Sequence, residues 1–182
     1  MPDPWQDLSA LRTHLWDRLV RGAAQADDPF RIVAFATAGP DGPEARMVGL
    51  RAADREAGTV EIHSDRRTAK IRAVAEDPRA ALLLWDPSTQ EQLRLTLDIT
   101  VIPADPARWA VIPSPSRLNY GTDPAPGTPV TAPEGVARRA IMDRHVALSG
   151  RVRSLDAVSL AHDPHRRARF YAEADGGRWV AP

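Results

Sequence analysis

Residues 30–63 read FRIVAFATAGPDGPEARMVGLRAADREAGTVEIH, and the order within this stretch decides the fold. Phe30 to Ala38 is apolar and β-branched, as a strand requires. Gly39-Pro40-Asp41-Gly42-Pro43 is a turn composition, and Glu44 to Ala53 returns as a second strand. After a turn around Gly58, Thr59 to His63 makes a third. No helix separates the three, so each strand pairs with the one before it. That predicts an antiparallel barrel with helical additions rather than a doubly wound parallel sheet.

On the N-terminal side, Leu8, Leu11, Leu15 and Leu19 form one apolar stripe, predicting a helix from Pro4 to Arg21 capped by Asp3. On the C-terminal side, Asp65 to Glu76 reads as a short helix stopped by Asp77-Pro78. Ala80 to Trp85 and Glu91 to Ile102 read as two strands joined by a turn at Asp86-Pro87-Ser88-Thr89. Asp105 to Val111 is a short helix. Residues 112–135 carry prolines at 113, 115, 124, 126, 129 and 133, which excludes regular structure and leaves an extended arm or lid. Gly135 to Ala147 is expected to be helical. Gly150 to Leu160 is ambiguous, with strand as the reading offered, and residues 166–173 and 178–181 look like two final strands around Asp175-Gly176-Gly177. No repeat divides the chain, so one domain over residues 1–182 is expected.

Composition narrows the function. The 182 residues are 43% hydrophobic and 26% charged, the make-up of a folded globular chain and not of a disordered one. The 24 basic and 24 acidic residues cancel, which argues against a non-specific nucleic-acid partner. No apolar run approaches the roughly 20 residues of a membrane span. The start of the chain lacks a basic-then-apolar leader, so a cytoplasmic location is expected. The absence of cysteine removes thiolate nucleophiles, disulfides and cysteine-held metals. The spacing of His162, Asp163 and His165 fits no standard metal set, and no metal is expected. G-x-S-x-G, P-loop and Rossmann signatures are missing.

Four segments carry polar chemistry. In the second strand, Arg46, Val48 and Leu50 share one face, and Met47, Gly49 and Arg51 the other. Each arginine either snorkels at a strand end or serves a bound anion. Gly49 weakens a strand and marks a close approach of backbone or a planar ligand. At the next strand-to-helix junction stand His63-Ser64-Asp65-Arg66-Arg67-Thr68-Ala69-Lys70, either a phosphate site or a capped basic helix. Lys70 is the one lysine among the 24 basic residues. Gln92 heads the fifth strand. His165-Arg166-Arg167-Ala168-Arg169-Phe170 packs cations that need acidic neighbours or an anionic ligand.

Taken in order, RMVGLR at 46–51, the His63-Ser64 pair with R-x-x-K at 67–70, Asp77-Pro78, the strand ending at Trp85 and EQLRL at 91–95 resemble the pyridoxamine 5'-phosphate oxidase-like family of FMN-binding split barrels. The resemblance implies a mainly β, Greek-key split barrel with an N-terminal helix, FMN as cofactor, and a homodimer with flavin at the interface. It implies that Arg46 and Lys70 hold phosphate, with Arg67 and Thr68 beside them. Met47, Val48, Gly49 and Leu50 would line the flavin ring, Arg51 would sit at its polar edge, and His63 and Ser64 would contact it. Gln92 would read the flavin from the neighbouring subunit, and Arg169 would lie near it. Arg117, His165 and Arg167 are the expected contacts of a small-molecule substrate.

The flavin half of the signature is fuller than the substrate half. Ala69 stands where the family has Arg, and Ser159 where the oxidase has Trp. Ser114 and Leu118 occupy the oxidase's substrate-gripping positions, and the C-terminal R-x-H-x-R becomes HRRAR. The resemblance therefore points to an FMN-dependent oxidoreductase moving hydride to or from flavin N5. An authentic pyridoxamine phosphate oxidase with a rearranged site, a non-catalytic flavin carrier or sensor, and a barrel that has lost FMN or binds haem or a deazaflavin instead are the alternatives.

Overall fold

The structure is a computed structural model that describes residues 3–40, 42–174 and 176–182. Asp41 and Asp175 of two expected turns, and the first two residues, lie outside them. The elements are α1 (Leu8–Ala24), β1 (Ile32–Gly39), β2 (Gly42–Asp54), β3 (Thr59–Asp65), α2 (Ala69–Glu76), β4 (Arg79–Asp86), β5 (Glu91–Ile102), α3 (Pro106–Val111), α4 (Ser114–Arg117), β6 (Thr122–Asp123), β7 (Ala137–Arg138), β8 (His145–Ser159), β9 (Arg166–Tyr171) and β10 (Gly177–Trp179).

The sheet runs β10-β9-β8-β3-β2-β1-β4-β5, and β5 pairs back onto β8. Six strands thereby close an antiparallel barrel, and β9 and β10 extend it on the outside. The chain passes from β3 through α2 to β4, which lies beside β1, the Greek-key order. Closure depends on the length of β8, whose 15 residues pair with β3 along one edge, β5 along the other and β9 at its far end. Alternate residues of the strands fill the interior: Val33 and Phe35, Val60 and Ile62, Leu82 and Leu84, Leu93, Leu95 and Leu97.

The leucine stripe of α1 plugs one end of the barrel, with Leu11, Leu15, Trp16 and Leu19 packed into the same core as Phe30. Helix and chain approach closely here, since a Cβ on Gly22 would lie 2.5 Å from Phe30 Cβ. The expected helix from Pro4 is interrupted. Residues Pro4–Gln6 form a single 3-10 turn capped by Asp3, and extended Asp7 starts α1 afresh by accepting a hydrogen bond from Ala10 N. A second capping residue won over continuous helix because the break lets Trp5 turn inward, where its Nε1 donates to Glu91 at 2.7 Å.

The helix expected over Gly135 to Ala147 is not formed. That segment holds a 3-10 turn at Pro133–Gly135, the two-residue β7, another 3-10 turn at Met142–Arg144, and the start of β8. Val146, Ala147 and Leu148 are all buried. A short continuous apolar run does not distinguish strand from helix, and the open edges of β3 and β5 decide it by supplying partners for the backbone. The same pairing resolves residues 150–159 as strand.

Candidate functional site

Strands β2 and β3 pair from Asp54↔Thr59 to Leu50↔Ile62, with an irregularity between Leu50 and Ala52, and then part. Beyond that point β2 is bonded to β1 alone and His63, Ser64 and Asp65 of β3 to β8 alone. The gap opens into a cavity of about 450 Å³. Met47, Val48 and Arg51 line one side, His63, Ser64 and Asp65 the other, and Thr68 and Lys70 the start of α2. Asn119, Tyr120, Thr122 and Pro124–Thr128 of the proline-rich segment, with Val136, complete the wall.

The polar groups at this gap are mostly neutralised, but Arg51 and Lys70 make no ion pair among the described residues. Asp65 accepts from Arg67 at 2.9 Å (Nε) and 2.7 Å (NH2) and from Arg67 N. Burial pushes the Asp65 carboxyl up, but these bonds hold it below the ordinary carboxylate value. Arg46 is partly exposed and donates to Thr37 Oγ1 at 2.8 Å and to the Glu44 carboxylate. Lys70 has no carboxylate partner among the described residues and donates to Ser64 Oγ at 3.3 Å. Ser64 Oγ in turn lies 3.0 Å from Thr68 Oγ1. Burial, and then the nearby Arg46 cation, lower the Lys70 pKa. The cavity thus keeps an ammonium with no carboxylate bonded to it among the described residues, and the nearby Asp65 carboxylate offsets its charge only in part.

Behind the β3 wall lies a second polar group. His63 Nε2 is 2.9 Å from Glu61 Oε1, and Glu61 accepts from Arg108 of α3 at 3.2 Å. The His63 ring meets His145 edge-on at 4.6 Å, and His145 packs against Tyr120 at 4.9 Å and Trp109 at 5.8 Å. His145 is fully buried with neither ring nitrogen hydrogen-bonded among the described residues. Burial, helped by the neighbouring His63, brings its pKa down to about 4, so it is neutral at pH 7.

The expected site residues fall into two places. Met47, Val48, Arg51, His63, Ser64, Thr68 and Lys70 line the cavity, and Arg46 lies close enough to act on the Lys70 charge. The Leu50 side chain is in the core, so any contact it makes with a ligand is through backbone. Gly49 lies under the Arg51 guanidinium, 2.9 Å from where a Cβ would stand. Arg67 is spent on Asp65 and on Thr122 O, to which it donates at 2.8 Å, and so fastens the proline-rich arm. Arg117 donates to Ile112 O and Ala110 O and is not at the cavity. Gln92, Arg169, His165 and Arg167 do not line it either. Arg167 and Arg169 share Asp156 with Arg94, on the outer face of β5, β8 and β9. His165 borders a surface cleft with Trp5 and Trp179.

The proline-rich segment, expected as an arm or lid, does line the cavity, but which of its residues do so, and the place of His145, escaped sequence reading because their proximity arises from a long irregular connection. One signal was present. Gly121 sits where a Cβ would stand 2.1 Å from the Arg139 carbonyl oxygen, in a segment otherwise stiffened by proline. Gly121→Ala is expected to push the two passes of the arm apart. The expected cost is about 1–3 kcal/mol in thermal unfolding, with faster proteolysis confined to residues 112–140.

The match to known proteins bears on the β2–β3 gap directly. Residues 13–103, from α1 to the end of β5, match the family described as pyridoxamine 5'-phosphate oxidase, FMN-binding domain. The chain belongs to this family. FMN is the cofactor of its domain. A pyridoxine/pyridoxamine 5'-phosphate oxidase of Anaeromyxobacter dehalogenans strain 2CP-C is 36% identical over 88 residues. That match spans 48% of this chain and 43% of the oxidase, less than half the length of either. Among solved structures, a pyridoxamine 5'-phosphate oxidase-related, FMN-binding protein of Nostoc punctiforme PCC 73102 superposes with a TM-score of 0.72 at 22% identity, covering 100% of both chains. PhzG of Burkholderia lata 383, solved with tetrahydrophenazine-1-carboxylic acid, superposes at 0.70 with 18% identity over 100% of this chain and 98% of its own. At these identities the two structures establish the fold, an FMN-binding split barrel. The family match ends before α3, so the arm, β8 and the C-terminal strands stand outside it. No helix among the described residues is long and apolar enough to cross a membrane.

Proposed function

We propose that the chain works as one FMN-dependent oxidoreductase domain, in a homodimer, passing hydride between a small substrate and flavin N5. The observation that carries this reading is Lys70, a half-buried ammonium beside two hydroxyls and Arg46, with no carboxylate partner among the described residues. A phosphate carries the charge that this group lacks, and its oxygens accept from Lys70, Ser64 and Thr68. When bound, FMN supplies two-electron chemistry at its ring. The protein's part is positioning and electrostatics. Met47, Val48 and the backbone through Leu50 offer a flat apolar side to the ring. Arg51 favours negative charge at the ring's polar edge. Tyr120, against Arg51, and Pro124–Thr128 restrict water on the arm side.

A dimer explains why the remaining residues lie elsewhere. The strand register puts Met47, Ala34, Leu83, Arg94, Asp156 and Arg169 in one cross-strand row around the outside of the barrel. Met47 is 63% exposed and Leu83 44%, with Ile32 and Trp85 exposed nearby. A second copy laid on this apolar face brings its Gln92, Arg167, Arg169 and His165 toward the first copy's cavity, with Arg167 and His165 on the substrate side. Leu83→Glu is expected to convert the dimer to monomer in sedimentation velocity and to lower FMN retention with it. A Leu83→Glu protein that stays dimeric would remove this face as the interface.

The test of the cofactor is the visible spectrum of the purified protein, before and after FMN addition and desalting. A retained two-band flavin spectrum that bleaches with an electron donor supports the oxidoreductase. Retained FMN that no donor reduces makes the chain a flavin carrier. A colourless protein after FMN addition overturns the reading.

A further inference from the structure

A second cleft lies away from the β2–β3 gap, between α1, the β2–β3 turn, β8 and the end of β9, with a volume of about 220 Å³. It is lined by Arg12, Arg55 and Arg151, which come from three different elements. Several arginines elsewhere in this chain are answered by carboxylates, as Arg18, Arg67 and Arg167 are. Here they are not. Among the described residues the Arg12 and Arg151 side chains make no hydrogen bond or ion pair, and Arg55 donates to Thr13 Oγ1 at 3.0 Å. One acid, Glu56, borders the cleft, which leaves two positive charges uncancelled. Trp16 and Phe170, both buried, contribute apolar walls. At the rim the Arg178 guanidinium sits 4.9 Å from the Tyr171 ring centre, and Arg178, then Arg169, lower the pKa of that phenol.

Converging guanidinium groups repel unless an anion lies between them, and their planar donors match the oxygens of a phosphate. We infer that this cleft is a second anion site, which takes the phosphate dianion of a small molecule independently of the FMN cavity. Its volume is half that of the first cavity, which suits a compact phosphate or phosphate monoester.

The experiment is calorimetric titration of the full chain, with FMN added to saturation, using inorganic phosphate and phenyl phosphate as separate probes. The expected result is one saturable equivalent, kept in Lys70→Ala and weakened about tenfold or more in Arg12→Gln and in Arg151→Gln. FMN absorbance should be unchanged in both arginine variants. Tighter binding of phenyl phosphate assigns the site to an organic phosphate that uses the Trp16 wall. Equal or weaker binding assigns it to free phosphate, and either ordering supports the site. Heat that never saturates overturns the inference, as does an affinity indifferent to both arginine substitutions. Loss of binding in Lys70→Ala alone also overturns it, because the probe then occupies the first cavity. Since Lys70→Ala reports on that cavity, failure of the FMN reading leaves this result readable.

Discussion

Lys70→Ala is expected to weaken FMN binding about 10- to 100-fold, because a charged hydrogen bond contributes roughly 1.5–3 kcal/mol and each 1.4 kcal/mol is tenfold. Flavin fluorescence quenching measures it. The variant should not lose fold stability. Lys70 is desolvated, lies beside the Arg46 cation and has no carboxylate partner among the described residues, so its charge opposes folding. Removing it leaves the unliganded protein as stable or more stable. A structural lysine would give the reverse, with stability falling and FMN affinity following.

The same residue sets an alkaline limit. Burial and Arg46 hold its pKa below the ordinary 10.5, and the protonated form is the one that attracts phosphate. FMN affinity should then fall as pH rises through this lowered pKa, before 10.5 is reached. Lys70→Arg keeps its charge throughout that range and should abolish the fall. A fall unchanged in Lys70→Arg would assign the titration to another group.

The half of the site that runs from Arg46 to Lys70 was legible because it is local. Two neighbouring strands and the following helix must bring residues about 20 positions apart together, and parity alone separates Leu50 from Met47. Tyr120, Thr122 and His145 were not legible. Tyr120 and Thr122 reach the cavity, and His145 the group behind its wall, through a connection whose prolines exclude periodicity, and no pattern states where such a chain folds back. The barrel divides in the same way. Strands β1 to β5 announced themselves by alternation and turns. The start of β8 did not, since an apolar run buried from both sides has no period. At the N-terminus, two capping aspartates four residues apart each fit a helix start, and only Trp5 packing onto Glu91 selects between them.

That packing leads to the largest expected effect on stability. Arg18, on the buried side of α1, donates to Asp86 at 2.6 Å and to Glu91 at 3.1 Å, and Glu91 also meets His14 and the Trp5 indole. Arg18, Asp86 and Glu91 are all nearly inaccessible to water. Arg18→Ala leaves two buried carboxylates with one cation fewer, and breaking a buried pair in this way costs about 3–5 kcal/mol. That is at least about a fifth of the roughly 5–15 kcal/mol that holds a domain folded. Denaturant unfolding should show the loss, with α1 the first element to exchange its amide hydrogens.

Acid supplies the check on cause. Burial pushes the Asp86 carboxyl up, but Ser88 and Arg18 bring it down to about 2, against 3.8 for the free group. A carboxyl lowered on folding stabilises the protein above its unfolded pKa and loses that contribution as pH falls through the folded value. The wild-type protein should therefore lose stability between about pH 4 and pH 2. In Arg18→Ala the Asp86 pKa rises, protonation comes sooner, and the uncompensated charge disappears. The gap between variant and wild type should be widest at neutral pH and narrow on acidification. A gap that stays constant from pH 7 to pH 3 would mean that Arg18 stabilises α1 by packing on Phe30, whose ring lies 4.4 Å from its guanidinium, and not by charge.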